Sequence, residues 1–280
     1  MKEISTIEIT QAVKKMCISS NYYLNDDVYS SLENAKKTEK SQIGLEMLRQ
    51  IIENADIAKS QNVPICQDTG LATVFVEIGQ EVYIKDGPLE DAINEGVRQG
   101  YYDGYLRKSV VNDPFIRTNT KDNTPAIIHY SIKAGDTLKI EIAPKGAGSE
   151  NMSKLFMLKP SDGIEGAKKA IIKAVEDAGP NPCPPIVVGV GCGGNFETSA
   201  ILAKKALLRP IESHNALPHI HQMELDLLSK INALGIGPQG LGGSTTALGV
   251  NVETFATHIA CLPIAVNISC HVTRHATCIF

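Results

Sequence analysis

Apolar residues recur at near-helical spacing along three early stretches, Ile7 to Met16, Asp26 to Lys37 and Ser41 to Ala58. The third is the clearest, with Ile43, Leu45, Leu48, Ile51, Ile52 and Ala55 on one face, and all three are expected as amphipathic helices. Pro64 then closes the helical region. From Leu71 to Ile78, and again from Val82 to Ile84, the pattern turns strand-like, and Pro88 opens a helix that runs to about Tyr101. The segment Val63 to Gly70, VPICQDTG, therefore falls in a helix-to-strand loop with a cysteine at its centre.

Further along, Ala126 to Ile132 and Thr137 to Ile142 flank Lys133-Ala134-Gly135-Asp136 and predict a β-hairpin with a Gly-Asp turn. The glycine-rich Lys145 to Ser149 precedes a helix expected from Asp162 to Ala178. A buried strand, Ile186 to Val190, runs into Gly191-Cys192-Gly193-Gly194 and a helix from Phe196 to Leu208. His221 to Leu234 reads as helix, Ile236 to Gly243 (IGPQGLGG) as a second glycine-rich loop, and Ile259 to Ser269 as a strand that His258 precedes and Cys270 follows. No internal repeat or linker interrupts the chain. The pattern predicts an α+β fold, mixed and antiparallel sheets surrounded by helices, as a single large domain over 1–280, with Pro/Gly loops carrying the chemistry.

Composition narrows the function classes. A chain of 280 residues, 43% apolar and 21% charged, buries a sizeable core. Its formal charge of -4 gives no basic footprint for nucleic acid. The N-terminus, MKEISTIEIT, lacks the apolar core of a secretory signal, and no apolar run approaches the roughly 20 residues of a membrane span, so a cytoplasmic protein is expected. Seven cysteines, an odd number, argue for reduced thiols rather than a disulfide framework.

Several motifs compete for function. GVGCGG satisfies G-x-G-x-x-G between a strand and a helix, but the nearest suitably spaced acid, Glu212, follows Pro210 in a loop and no βαβ unit succeeds it; a tight strand-to-helix turn is the simpler reading. His214, His219 and His221 form a local group that suits a metal or a solvated helix start equally, and His129 reads as structural. Cys17 and Cys261 lie in apolar patterns and read as small core residues, and Cys278 as incidental. Cys66, Cys183, Cys192 and Cys270 instead sit in turn-rich segments, where a sulfur can face a shared centre while nearby amides stabilise its charge. Their long separations, 117 residues from Cys66 to Cys183 and 87 from Cys183 to Cys270, exclude a local zinc knuckle.

VPICQDTG, NTPA (Asn123 to Ala126), KGAGSENMS (Lys145 to Ser153), NPCPP, GPQGLGG and SCHVTR occur in that order between residues 63 and 274. Together they resemble the class I, iron-sulfur fumarate hydratases and the related L(+)-tartrate dehydratases, specifically their α subunit or the N-terminal half of the fused enzymes.

The resemblance implies a [4Fe-4S] cluster held by Cys66, Cys183 and Cys270, with one iron left open to substrate as a Lewis acid. Cys192 is the rival for the second position. The resemblance further implies Arg107 for a substrate carboxylate, which a guanidinium fork suits, backbone amides at Gly146 and Gly148, Gln67 beside the open iron, and Asp68 paired with His258 for the proton. For Asp68 the structural alternative is an Asx-turn through Thr69 and Gly70. The fused enzymes continue into a further domain supplying basic residues and a catalytic base, so a separate β subunit in an α2β2 assembly is expected. The implied reaction is reversible hydration of fumarate to (S)-malate, with dehydration of L-tartrate to oxaloacetate as the alternative. A non-catalytic metal-binding module and a dinucleotide-dependent oxidoreductase are the readings from other classes.

Overall fold

The structure, a computed structural model, describes residues 1–280. Its contacts divide the chain into two compact units, residues 1–25, 55–147 and 274–280 in the first and residues 26–54 and 148–273 in the second. Both combine helices with mixed sheets, so the α+β class holds. No helix is long and apolar enough to cross a membrane.

In the first unit, β1 (Lys2–Ser5) leads into α1 (Thr6–Tyr22), where Ser5 and Glu8 exchange bonds in a capping box. Helix α1 packs on α4 (Leu89–Asp103), and glycine makes that approach possible: a Cβ on Gly96 would stand 2.6 Å from Val13 Cβ, and one on Gly100 2.8 Å from Cys17 Cβ. Cys17 is fully buried there, and burial pushes its thiol up to about 12, as befits a core residue.

The sheet of this unit contains β2 (Leu71–Gly79), β4 (Ile127–Lys133), β5 (Leu138–Lys145) and β10 (Ala276–Ile279), in the order β10-β5-β2-β4. The expected hairpin is corrected here, because β2 lies between β4 and β5, parallel to the first and antiparallel to the second. Ala72 to Val76 are buried on both faces, as a central strand requires, whereas β4 exposes Ile127, Tyr130 and Ile132 at an edge. The predicted Gly-Asp turn instead closes the end of β2: Gly79 N donates to Thr137 O at 2.9 Å and Gln80 N to Lys133 O at 2.9 Å. His129 stacks on its register partner Phe75, 5.1 Å between centroids, the structural role expected. Strand β3 (Val82–Lys85) pairs in parallel with β1.

The second unit holds α2 (Asp26–Thr38) and a mixed sheet of β6 (Lys154–Leu158), β7 (Ile186–Gly193), β8 (Ala247–Phe255) and β9 (Leu262–Ser269), in the order β6-β9-β7-β8. Helices α6 (Gly163–Ala178) and α8 (Pro218–Asn232) pack on it over a core that includes Ile171, Val188, Leu227, Val252 and Ile268, and α7 (Phe196–Ala206) packs against β7, β8 and β9. Helix α3 (Gln42–Gln61) contributes residues to both units, and α5 (Ala147–Glu150) is a single turn.

Two expectations change in this unit. The strand expected from Ile259 begins only at Leu262, and Ala256 to Ala260 form an exposed loop. Strand β7 continues through the glycines to Gly193. A Cβ on Gly189 would lie 2.2 Å from Ala203 O and one on Gly191 2.0 Å from Ser199 O. Two of the three glycines that fill the G-x-G-x-x-G positions, Gly189 and Gly191, are therefore spent inside a strand on close packing against α7 rather than on a phosphate cradle.

Candidate functional site

In the first unit the loop Cys66 to Gly70 is fixed by its own polar groups and by buried neighbours. Asp68 N donates to Cys66 Sγ at 3.4 Å, which places an amide against the sulfur. The Asp68 carboxylate accepts from Gly70 N at 3.0 Å and from Ala147 N at 2.8 Å. The first contact realises the Asx-turn, and the second straps this loop to the KGAG segment. Thr69, almost fully buried, donates its hydroxyl to Arg107 O at 3.1 Å. Arg107 is exposed, so its backbone is tied down while its guanidinium faces solvent. Gln67 is also exposed. Cys66, Gln67, Asp68, Arg107 and Gly146 thus share one neighbourhood. Two glycines make room: a Cβ on Gly70 (φ +77) would stand 2.7 Å from Lys145 N, and one on Gly146 3.3 Å from Asp68 Oδ2.

Three residues with no role assigned from sequence hold the underside of this loop. Tyr101, with no exposed surface, donates its hydroxyl to Thr69 O at 2.7 Å and Gly70 O at 2.9 Å. Asn123, equally buried, donates to Gly70 O at 3.2 Å and accepts from Ser109 N at 2.7 Å. Arg274 reaches Asp68 O and Pro144 O through its guanidinium. Asn123 and Arg274 lie within NTPA and SCHVTR, so the motifs marked them without revealing their task; Tyr101 had only its place at a helix end.

In the second unit Cys183 is exposed at φ +55, and Cys270 is half-buried just past β9. Their loops meet: His271 Nδ1 stands 2.9 Å from Cys183 O, and His271 N donates to the same carbonyl at 3.4 Å. Gly148 is exposed within α5. Cys192 differs in placement, lying within β7 against the apolar core, and burial pushes its thiol up to about 12. None of the seven cysteines is in a disulfide.

His258 lies in the exposed loop after β8 and accepts from Ala260 N at 3.1 Å through Nδ1, while the two Asp68 oxygens accept from the backbone amides of Gly70 and Ala147. His258 also rims a cavity of about 410 Å³ with Cys192, His219, Met223 and Cys261, an apolar space whose lining includes no Lys or Arg and so does not suit a dicarboxylate. His214 and His221 stack face to face at 4.2 Å, and no three His, Cys, Asp or Glu side chains form a group able to hold a metal ion.

Against known proteins, the family model described as fumarate hydratase (Fumerase) matches residues 10–279. A Methanocaldococcus jannaschii protein provisionally named L(+)-tartrate dehydratase subunit alpha is 44% identical over 276 residues, 96% of each chain. The L(+)-tartrate dehydratase subunit alpha of Escherichia coli strain K12 is 32% identical over 280 residues, 99% of this chain and 92% of that one. That of Shigella sonnei matches at the same identity and coverage.

Proposed function

Because this chain belongs to the fumarate hydratase (Fumerase) family, hydro-lyases by name, we propose that it is the α subunit of a two-subunit [4Fe-4S] enzyme hydrating fumarate reversibly to (S)-malate. The observation that carries this reading is the Cys66 loop, whose sulfur accepts an amide while Arg107 and the KGAG backbone are bonded to its next residues. The donor set fits the cofactor: Cys66, Cys183 and Cys270 are loop thiols with accessible surface, none in a disulfide. A cuboidal cluster carries each cysteine on a different iron, so its ligands do not converge on one point as those of a single ion do. Cys192, seated on a strand where burial pushes its thiol up to about 12, fits less well than Cys183. When bound, a cluster with one iron lacking a cysteine supplies a Lewis acid.

The chain's own residues would supply the rest. Arg107, exposed beside the loop, pairs with a substrate carboxylate through its fork. The segment carrying Gly146 and Gly148 turns backbone amides toward the carboxylate, and Gln67 orients the substrate from the loop's open side. Asp68 and His258 hold and move the proton; for Asp68 this requires releasing one of its two amide donors.

A second reading, dehydration of L-tartrate to oxaloacetate, is favoured by the names of the relatives. The two hydroxy acids, (S)-malate and L-tartrate, differ by one hydroxyl. The designation of those relatives as subunit alpha also supports a β partner, proposed here in an α2β2 assembly. Phe115, Ile116 and Ile259, each at least 80% exposed, are apolar surface of the kind a subunit interface covers. The test is anaerobic assay of the reconstituted chain with and without its β partner on fumarate, (S)-malate and L-tartrate. Turnover of fumarate by the pair alone is expected. Stoichiometric zinc in a colourless preparation would contradict the cluster, and full activity of the isolated chain would contradict the division of labour.

A further inference from the structure

We propose that Gln239 and His271 are positioning residues for Cys183, a role that rests on reading Cys183 as a cluster ligand. Cys183 is exposed and left-handed, a conformation that a residue with a side chain does not take freely. Surface exposure of its side chain leaves little packing to enforce that backbone. The two carbonyls that follow its Cα are instead gripped twice each. Pro184 O accepts from Gln239 N at 2.8 Å and from Gln239 Nε2 at 2.9 Å. Cys183 O accepts from His271 N at 3.4 Å and from His271 Nδ1 at 2.9 Å.

The bonding fixes the histidine tautomer. A carbonyl only accepts, so Nδ1 carries the proton. The Gln239 amide nitrogen, 3.2 Å from Nδ1, is then a neighbour rather than a partner, and its hydrogen bond goes to Pro184 O.

The second glycine-rich loop gains a purpose from this arrangement. Gln239 sits at φ +54 within GPQGLGG, and a Cβ on Gly240 would lie 2.2 Å from Pro180 Cβ, so the loop lies against the start of the NPCPP turn. Its far end is anchored where Glu39 Oε1 accepts from Ser244 N at 2.8 Å. The loop is a bracket, hydrogen-bonded to Pro184 O at Gln239 and to Glu39 at Ser244, that aims the Cys183 thiol. His271, adjacent to Cys270, couples the same carbonyl to a second expected ligand.

The test uses the full chain, reconstituted anaerobically, with cluster loss to an iron chelator followed by visible absorbance and released iron. In Gln239→Leu and His271→Phe the cluster half-life is expected to fall by about tenfold, in line with what outer partners contribute to metal affinity. His271→Asn, whose amide nitrogen can occupy the place of Nδ1, is expected to restore most of it. Hydrogen exchange of the Cys183 amide, bonded to Pro180 O at 3.1 Å, should quicken in the cluster-free Gln239→Leu chain, a readout independent of loading. Unchanged half-lives and unchanged exchange in both disruptive variants would overturn the clamp. A wild-type chain that takes up no cluster while its Cys183 exchange still depends on Gln239 would instead overturn the ligand reading and leave the clamp without a cargo.

Discussion

Glu39 offers a test in which charge alone changes. Its Oε1 accepts from Lys40 N, Ser41 N and Ser244 N at 2.8, 2.9 and 2.8 Å, and from Ser244 Oγ at 3.2 Å. Burial alone would raise its carboxyl, but the amides of Ser41 and Ser244 and the hydroxyls of Thr245 and Ser244 outweigh it and hold it at about 2, against an ordinary 4.5. That difference sets a ceiling of about 3 kcal/mol. Because Glu39 is only part-buried, solvent screening lowers the expectation to about 1–2 kcal/mol.

Glu39→Gln keeps the shape and removes the charge. The carboxylate is depressed in the folded state, so its contribution is complete well above 4.5 and is lost as pH falls from there through about 2, below which both states are protonated. The wild-type chain should therefore exceed Glu39→Gln in stability at pH 7, and the gap should narrow as the pH is lowered from 4.5. Equilibrium urea unfolding followed by far-UV circular dichroism reads it, since the chain has no tryptophan. Other carboxylates titrate in both proteins and cancel in the difference. A gap that stays constant with pH, or no gap at pH 7, refutes the electrostatic account.

Gly191→Ala should destabilise the protein by more than about 3 kcal/mol or prevent folding, because its Cβ would stand 2.0 Å from Ser199 O; denaturant unfolding checks this, and a neutral result would mean α7 does not seat on β7 as described. Tyr101→Phe removes the hydroxyl from two buried carbonyls and should cost about 1–3 kcal/mol, with faster exchange of the Gly70 amide measured by mass spectrometry. Cys183→Ser should abolish cluster assembly while Cys192→Ser leaves it, read as iron per chain after reconstitution; the reverse pattern would exchange their roles.

Local pattern revealed what local forces decide. Helix α3 was expected over 41–58 and forms over Gln42–Gln61, because its apolar stripe depends only on near neighbours. Cys17 read as a core thiol for the same reason. Strand neighbours are set by distant segments, so the two runs around Gly135 looked like a hairpin until β2, some fifty residues earlier, took the place between them. The site divided in the same way. Motif order marked Cys66 and Asp68, the resemblance pointed to Arg107, and the structure bonds the Cys66 loop to the Arg107 backbone. The buried trio of Tyr101, Asn123 and Arg274 bonds to carbonyls, which every residue possesses, so no side-chain pattern in sequence could announce the partners.

Arg274 carries one more consequence, in the timing of synthesis. It grips Asp68 O from 206 residues downstream, and β10, which follows it, completes the edge of the sheet beside β5. At roughly 5–20 residues per second, the ribosome delivers Arg274 about 10–40 s after Asp68. Through that interval the first unit lacks its closing strand, and the Cys66 loop emerges long before the cation that secures it. That one anchor of the loop is thereby deferred until 206 further residues have been made, so a nascent chain that has not reached Arg274 presents this thiol on a loop held only by its earlier partners.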